Sequence, residues 1–150
     1  MSSLSQFILA ALDTYGFTIY FKLPYKVRFV TSVLSGFIWF LFEIIKSLNP
    51  NYIFSNFTAA VLIGLFSEIM AIVFKKPATV FLIPCLVPLV PGAGMYYIMY
   101  HFIGSNYNLM QEQLILTILT SAALALGVVV SQGLFRIFRE LVIKKNKNQY

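Results

Sequence analysis

The 150-residue chain is 59% hydrophobic, 17% aromatic and 11% charged, with a mean hydropathy of +0.83. Soluble domains carry about 25% charged residues, so this chain cannot cover a water-facing surface, and disorder is excluded because it needs low hydrophobicity and high net charge. The net charge of +6 sits in short gaps between apolar runs and not on one basic face, which excludes a nucleic-acid footprint and leaves an integral membrane protein.

Five apolar stretches reach the roughly 17–25 residues that a spanning helix needs: 4–21, 29–45, 54–74, 78–103 and 113–134. The expected fold is therefore all-α, a single transmembrane domain over 1–150 with a basic tail at 135–150. No Lys or Arg precedes the first stretch, so it reads as a span and not as a cleaved signal peptide. Phe17, Tyr20, Phe21 and Tyr25 at its end suit an interfacial aromatic belt. Asp13 lies about midway along it with no basic residue within a turn. An acid there is a functional candidate, here for proton coupling; the alternatives are a protonated acid or one paired with a partner helix.

The second stretch carries Ser32 and Gly36 four apart, a face for close helix approach. Glu43 and Lys46 near its end form an i,i+3 pair. The third repeats the small-residue spacing at Ala60 and Gly64. Its Glu68 either takes a proton or an ammonium group, as a second coupling candidate, or pairs with Lys75 or Lys76. The fifth carries a ridge of Ala123, Gly127 and Ser131, read as packing.

Orientation follows from the connections. Lys22, Lys26, Arg28, Lys75, Lys76 and the five positives of the tail fall on one side of a five-span chain; Lys46 alone falls on the other. The positive-inside rule then puts the N-terminus outside and the C-terminus inside.

The fourth stretch is the most specific. Lys75, Lys76 and Pro77 open it, Phe81 lies in the apolar run, and Pro84, Pro88, Pro91, Gly92, Gly94 and Tyr96 follow. Proline has no N–H and clashes with the carbonyl four residues back, so the carbonyls of Val80, Pro84 and Val87 are expected to be freed. A regular helix through 88–94 is not expected. Unpaired backbone at membrane depth is tolerated only inside protein or along a water-filled cavity. Broken helices near the midplane are where secondary transporters hold substrate, and the half-helix starting near Gly94 offers N–H groups to a carboxylate. Pro84, Pro88, Pro91, Gly92, Gly94 and Tyr96 are thus the candidate substrate-binding or gating residues. The plainer alternative is a proline kink packed on a neighbour.

These residues resemble the threonine/serine exporter family, in particular its small-subunit half. The shared pattern is the Lys/Pro start, a phenylalanine-bearing apolar run, a Pro-(x)3-Pro-x-x-Pro-Gly core and a nearby tyrosine. Tyr15-Gly16-Phe17 with Pro24, Ser35-Gly36, and Ser55-Asn56-Phe57 with Gly64 match more loosely, and the resemblance covers roughly residues 5–135. It implies export of small metabolites across the bacterial inner membrane: threonine and serine or, in a two-subunit form, dicarboxylates. It also implies a larger transmembrane subunit. Five spans cannot hold an inverted repeat alone, so the expected partner is a five-span unit of opposite orientation, N-in and C-out. A homo-oligomeric channel and a structural subunit that never touches substrate are the rival readings. Cys85 is the single cysteine and His101 the single histidine; no cofactor, metal site or nucleophile–base pair is expected. No Lys or Arg lies inside a span, which favours an amino acid over a dicarboxylate.

Overall fold

The structure, a computed structural model, describes residues 3–48 and 51–147, with side chains over 5–48 and 51–138. All regular secondary structure among the described residues is helical: α1 (Ser3–Tyr20), α2 (Tyr25–Leu48), α3 (Tyr52–Phe74), α4 (Thr79–Leu86), a 3-10 turn (Val87–Leu89), α5 (Gly92–Ile103) and α6 (Tyr107–Lys147). Local chemistry sets several boundaries. The Asn51 side chain accepts from the N–H groups of Ile53 and Phe54 and so caps α3. At the other end Lys75 adopts the left-handed region at φ 52° and returns its N–H to the carbonyls of Ala71 and Ile72.

Among the described residues, three helices are long and apolar enough to cross a membrane, namely α2, α3 and residues 107–138 of α6; Thr79–Leu89 and Gly92–Ile103, bent by 42°, make a fourth if they count as one broken span. The five-span expectation is met only this far. The difference is α1, an 18-residue helix in which Gln6, Asp13, Thr14 and Thr18 dilute the apolar run. Thr14 and Thr18 are fully buried, so α1 is helical where a span was expected, with these two hydroxyls turned inward and Asp13 left exposed. At the other end α6 runs unbroken for 41 residues, about 60 Å, twice a hydrocarbon core of about 30 Å. It carries the chain past residue 134 into the basic tail; residues 148–150 lie outside the described residues.

Packing is inverted relative to a water-soluble protein. Thr14, Thr31, Ser35, Asn56, Thr117 and Thr120 are buried, while Leu12, Ile72, Val129 and many other apolar side chains are exposed. Hydroxyls can hide inside when they donate to a carbonyl one turn back, as Thr31 does to Val27 at 2.7 Å. Side-chain bonds tie helices together, among them Thr14 to Ser35 at 2.6 Å between α1 and α2 and the Cys85 thiol to the Thr31 carbonyl at 3.6 Å between α4 and α2. The apolar core lies where α2, α3, α4 and α6 meet, around Ile38, Phe42, Ala60, Ile63, Leu82 and Leu124.

The expected small-residue faces of α3 and α6 meet each other. A Cβ on Gly64 would collide with the Ser131 side chain, and one on Gly127 would lie 2.7 Å from both the Ala60 Cβ and the Phe57 carbonyl oxygen. By contrast α5 contains no buried residue. It packs on α6, where Gly94 comes so close that a Cβ would strike the Thr117 hydroxyl.

Candidate functional site

The break between α4 and α5 is built by its prolines. Pro84 sits inside α4. Pro88 cannot donate to the Pro84 carbonyl, and that carbonyl is filled differently: the Val87 N–H turns back to it. The Val90 N–H reaches the carbonyls of Leu86 at 3.2 Å and Val87 at 3.3 Å. Two of the three carbonyls expected to be free, those of Pro84 and Val87, are therefore satisfied by tightening the last turn into 3-10 geometry. Val90 is then extended, at φ −61° and ψ 129°, as the residue before a proline prefers. Pro91 follows at φ −75° and ψ 57°, and α5 starts at Gly92 with no side chain capping it.

The unsatisfied groups are on the other side of the break. The Gly92 N–H bonds to the Val90 carbonyl at 2.7 Å and the Met95 N–H to the Pro91 carbonyl at 3.3 Å. The N–H groups of Ala93 and Gly94 lie in the first turn, where a helix has no internal acceptor to offer. Both residues line a cavity of about 380 Å³, within the size range of small-molecule sites. Pro88, Leu89, Val90 and Pro91 form the same wall. Trp39 and Phe42 of α2, Tyr52 of α3 and Tyr97 of α5 supply aromatic surface; Gln113, Thr117 and Thr120 of α6 supply polar groups.

Among the described residues, the lining carries no charged side chain. Its two threonine hydroxyls have already donated: Thr117 to the Gln113 carbonyl at 2.6 Å, Thr120 to those of Leu116 at 2.9 Å and Thr117 at 3.0 Å. Their remaining capacity is to accept. The cavity thus brings the first turn of α5 together with two hydroxyl-bearing residues of α6.

Of the residues singled out from sequence, Pro88, Pro91 and Gly94 come together in this cavity. Gly92 does not line it, and a side chain there would meet nothing within 4 Å. Pro84 is buried in α4 and borders a separate crevice with Phe21, Leu23 and Thr79. Tyr96 is 65% exposed and stacks on Tyr100 at 6.3 Å, while its neighbour Tyr97 is the α5 tyrosine at the cavity. Asp13 is exposed and lines an open cleft with Gln6, Leu9 and Ala10, backed by Trp39 and Pro88. Those last two residues also line the main cavity, so one wall separates the two. Glu68 is half-buried on α3, in neither cavity, and forms no ion pair with Lys75 or Lys76.

Sequence reasoning missed Trp39, Phe42, Tyr52, Gln113, Thr117 and Thr120. The one local signal was in the fifth stretch, where Gln113, Thr117 and Thr120 make a polar stripe at helical spacing.

The profile of the family described as "Threonine/Serine exporter, ThrE" matches residues 6–134. No curated protein and no solved structure matches the chain.

Proposed function

The chain belongs to the threonine/serine exporter family, a family of multi-pass membrane transporters, and from that premise we propose that it is the small subunit of a bacterial inner-membrane exporter of threonine- and serine-type amino acids. The observation that carries this reading is the cavity at the helix break. A zwitterion needs one donor cluster and one acceptor cluster. The N–H groups of Ala93 and Gly94, at the positive end of α5, receive the α-carboxylate; the hydroxyl oxygens of Thr117 and Thr120 accept from the ammonium. A dicarboxylate fits less well, because its second anion would face a lining without a cation.

In this reading the chain crosses the membrane five times, α1 included and α4–α5 counted once, N-out and C-in. The ten-to-one split of positives across the connections supports that orientation. The larger subunit is a five-span unit of opposite orientation that covers the exposed face of α5. Asp13 is favoured over Glu68 as the proton-coupling acid, since its cleft shares Trp39 and Pro88 with the cavity.

The test is whole-cell efflux of labelled threonine, serine and succinate, with and without the larger subunit, at several external pH values. Threonine and serine should leave faster only when both subunits are present, and Asp13→Asn should flatten the pH response. Efflux of succinate alone would overturn the substrate assignment. In the same cells, a cysteine at position 106 should react with an impermeant label and one at position 145 should not, in a Cys85→Ser background.

A further inference from the structure

Threonine and serine carry a third polar group, the β-hydroxyl, beyond the carboxylate and ammonium already placed. The cavity offers it a partner on α6. Gln113, Thr117 and Thr120 follow one another at helical spacing and all line the cavity. The two threonine hydroxyls have donated to carbonyls of their own helix, Thr117 to the backbone carbonyl of Gln113 itself. The Gln113 side chain differs: among the described residues no group bonds to its amide. It is half-buried and holds two N–H donors and an acceptor oxygen.

Position along the cavity separates this amide from the other polar groups. α5 and α6 pack together across a connection of three residues, 104–106, so they run antiparallel. The close approach of Gly94 to Thr117 sets their register. About one turn from that contact, Tyr97 follows on α5 and Gln113 on α6, and both line the cavity. The Tyr97 ring is packed 5.5 Å from that of Tyr96 and 6.5 Å from that of His101. Its phenol has a single oxygen to give and to accept with, whereas the amide sets donor and acceptor side by side. A plainer role is available to Gln113. Near the start of α6 its amide can be hydrated and do no more than keep that end of the helix in contact with water. In that role it treats every amino acid alike.

We propose that Gln113 reads the β-hydroxyl of the substrate and so selects hydroxy amino acids over aliphatic ones of the same length. This rests on the amino-acid reading above and adds a specificity residue to it. A solute with the hydroxyl gives the amide oxygen a donor and the amide N–H an acceptor. A solute without it strips water from the amide and returns nothing, and an unpaired polar group is what makes a hydrogen-bonding site reject such an analogue.

The test is binding of L-threonine and of L-2-aminobutyrate, which is threonine without its hydroxyl, to the full chain in lipid nanodiscs. Emission of Trp39, the single tryptophan and a lining residue, is one readout, and equilibrium dialysis of labelled ligand is the second. The wild type should hold threonine at least about tenfold more tightly than 2-aminobutyrate. Gln113→Met keeps the length of the side chain and removes the amide. In it the preference should fall below about twofold through loss of threonine affinity, while 2-aminobutyrate weakens by no more than about twofold and so reports an intact cavity. A preference that survives Gln113→Met, or equal weakening of both ligands, overturns the role of Gln113; survival there with loss in Tyr97→Phe transfers the role to the phenol. Threonine and 2-aminobutyrate bound equally by the wild type overturn the proposal and leave the amino-acid reading standing. No binding of either by the wild type, in either readout, overturns the amino-acid reading and this one with it.

Discussion

The α3–α6 seam and the α4–α5 break use the same residue type for opposite ends. Along the seam, Gly64 and Gly127 have no room for a side chain, because Ser131 and Ala60 already fill the space. Two long helices close on each other there, and the seam is part of what holds the core. At the break the chain is short, bent by 42° and open: Gly92 has nothing within 4 Å, α5 buries no residue, and a cavity remains. Without a hydrophobic drive between helices in lipid, close packing of small residues supplies association. Close packing is thus concentrated in one region, and the other is left open around a cavity.

Substitutions should separate the two regions. The largest effect is expected at the seam. Gly64→Leu inserts a side chain into space held by Ser131 and forces α3 from α6; overpacking of this kind costs about 1–3 kcal/mol and more when backbones must part. The yield of inserted protein and its melting temperature in detergent should both fall sharply. An unchanged melting temperature would mean that the seam is not what holds the bundle. A smaller effect, of another kind, is expected at the cavity. Thr117→Val keeps the shape that packs on Gly94 and deletes one acceptor, so melting should be preserved while half-saturation for threonine rises about fivefold, the equivalent of about 1 kcal/mol for one hydrogen bond. A Thr117→Val protein that melts early but binds normally would move Thr117 from the cavity to the packing side of the comparison.

What the sequence disclosed follows the same division. The break at Pro91 was legible because a missing N–H and the constraint on the preceding residue are local facts. The small residues of α3 and α6 were legible as faces, although only the fold shows that Ala60 meets Gly127 and Gly64 meets Ser131. The cavity was less legible. Trp39, Phe42 and Tyr52 reach the break from other helices, so nothing near Pro91 announces them. Tyr96 was chosen where Tyr97 lines the cavity, and one residue on a helix is a turn of about 100°. The freed carbonyls of Pro84 and Val87 found donors in a 3-10 turn, which a count of missing N–H groups does not anticipate. In α1 a length criterion reads a span, while the buried Thr14 and Thr18 show that these two hydroxyls serve contacts inside the protein.

The central claim is that substrate occupies the cavity beside the break. The most direct measurement is threonine efflux per correctly inserted complex in Ala93→Leu and Gly92→Leu, made side by side. The two positions are adjacent, yet Ala93 lines the cavity and Gly92 faces open space. On sequence alone, a side chain at Gly92 is expected to be as harmful as one in the cavity. With substrate seated against Ala93, the Ala93→Leu protein should lose at least about tenfold, as added bulk in a fitted pocket does, and Gly92→Leu should stay within about twofold of wild type. Normal efflux in Ala93→Leu, or a loss in Gly92→Leu alone, would contradict the claim.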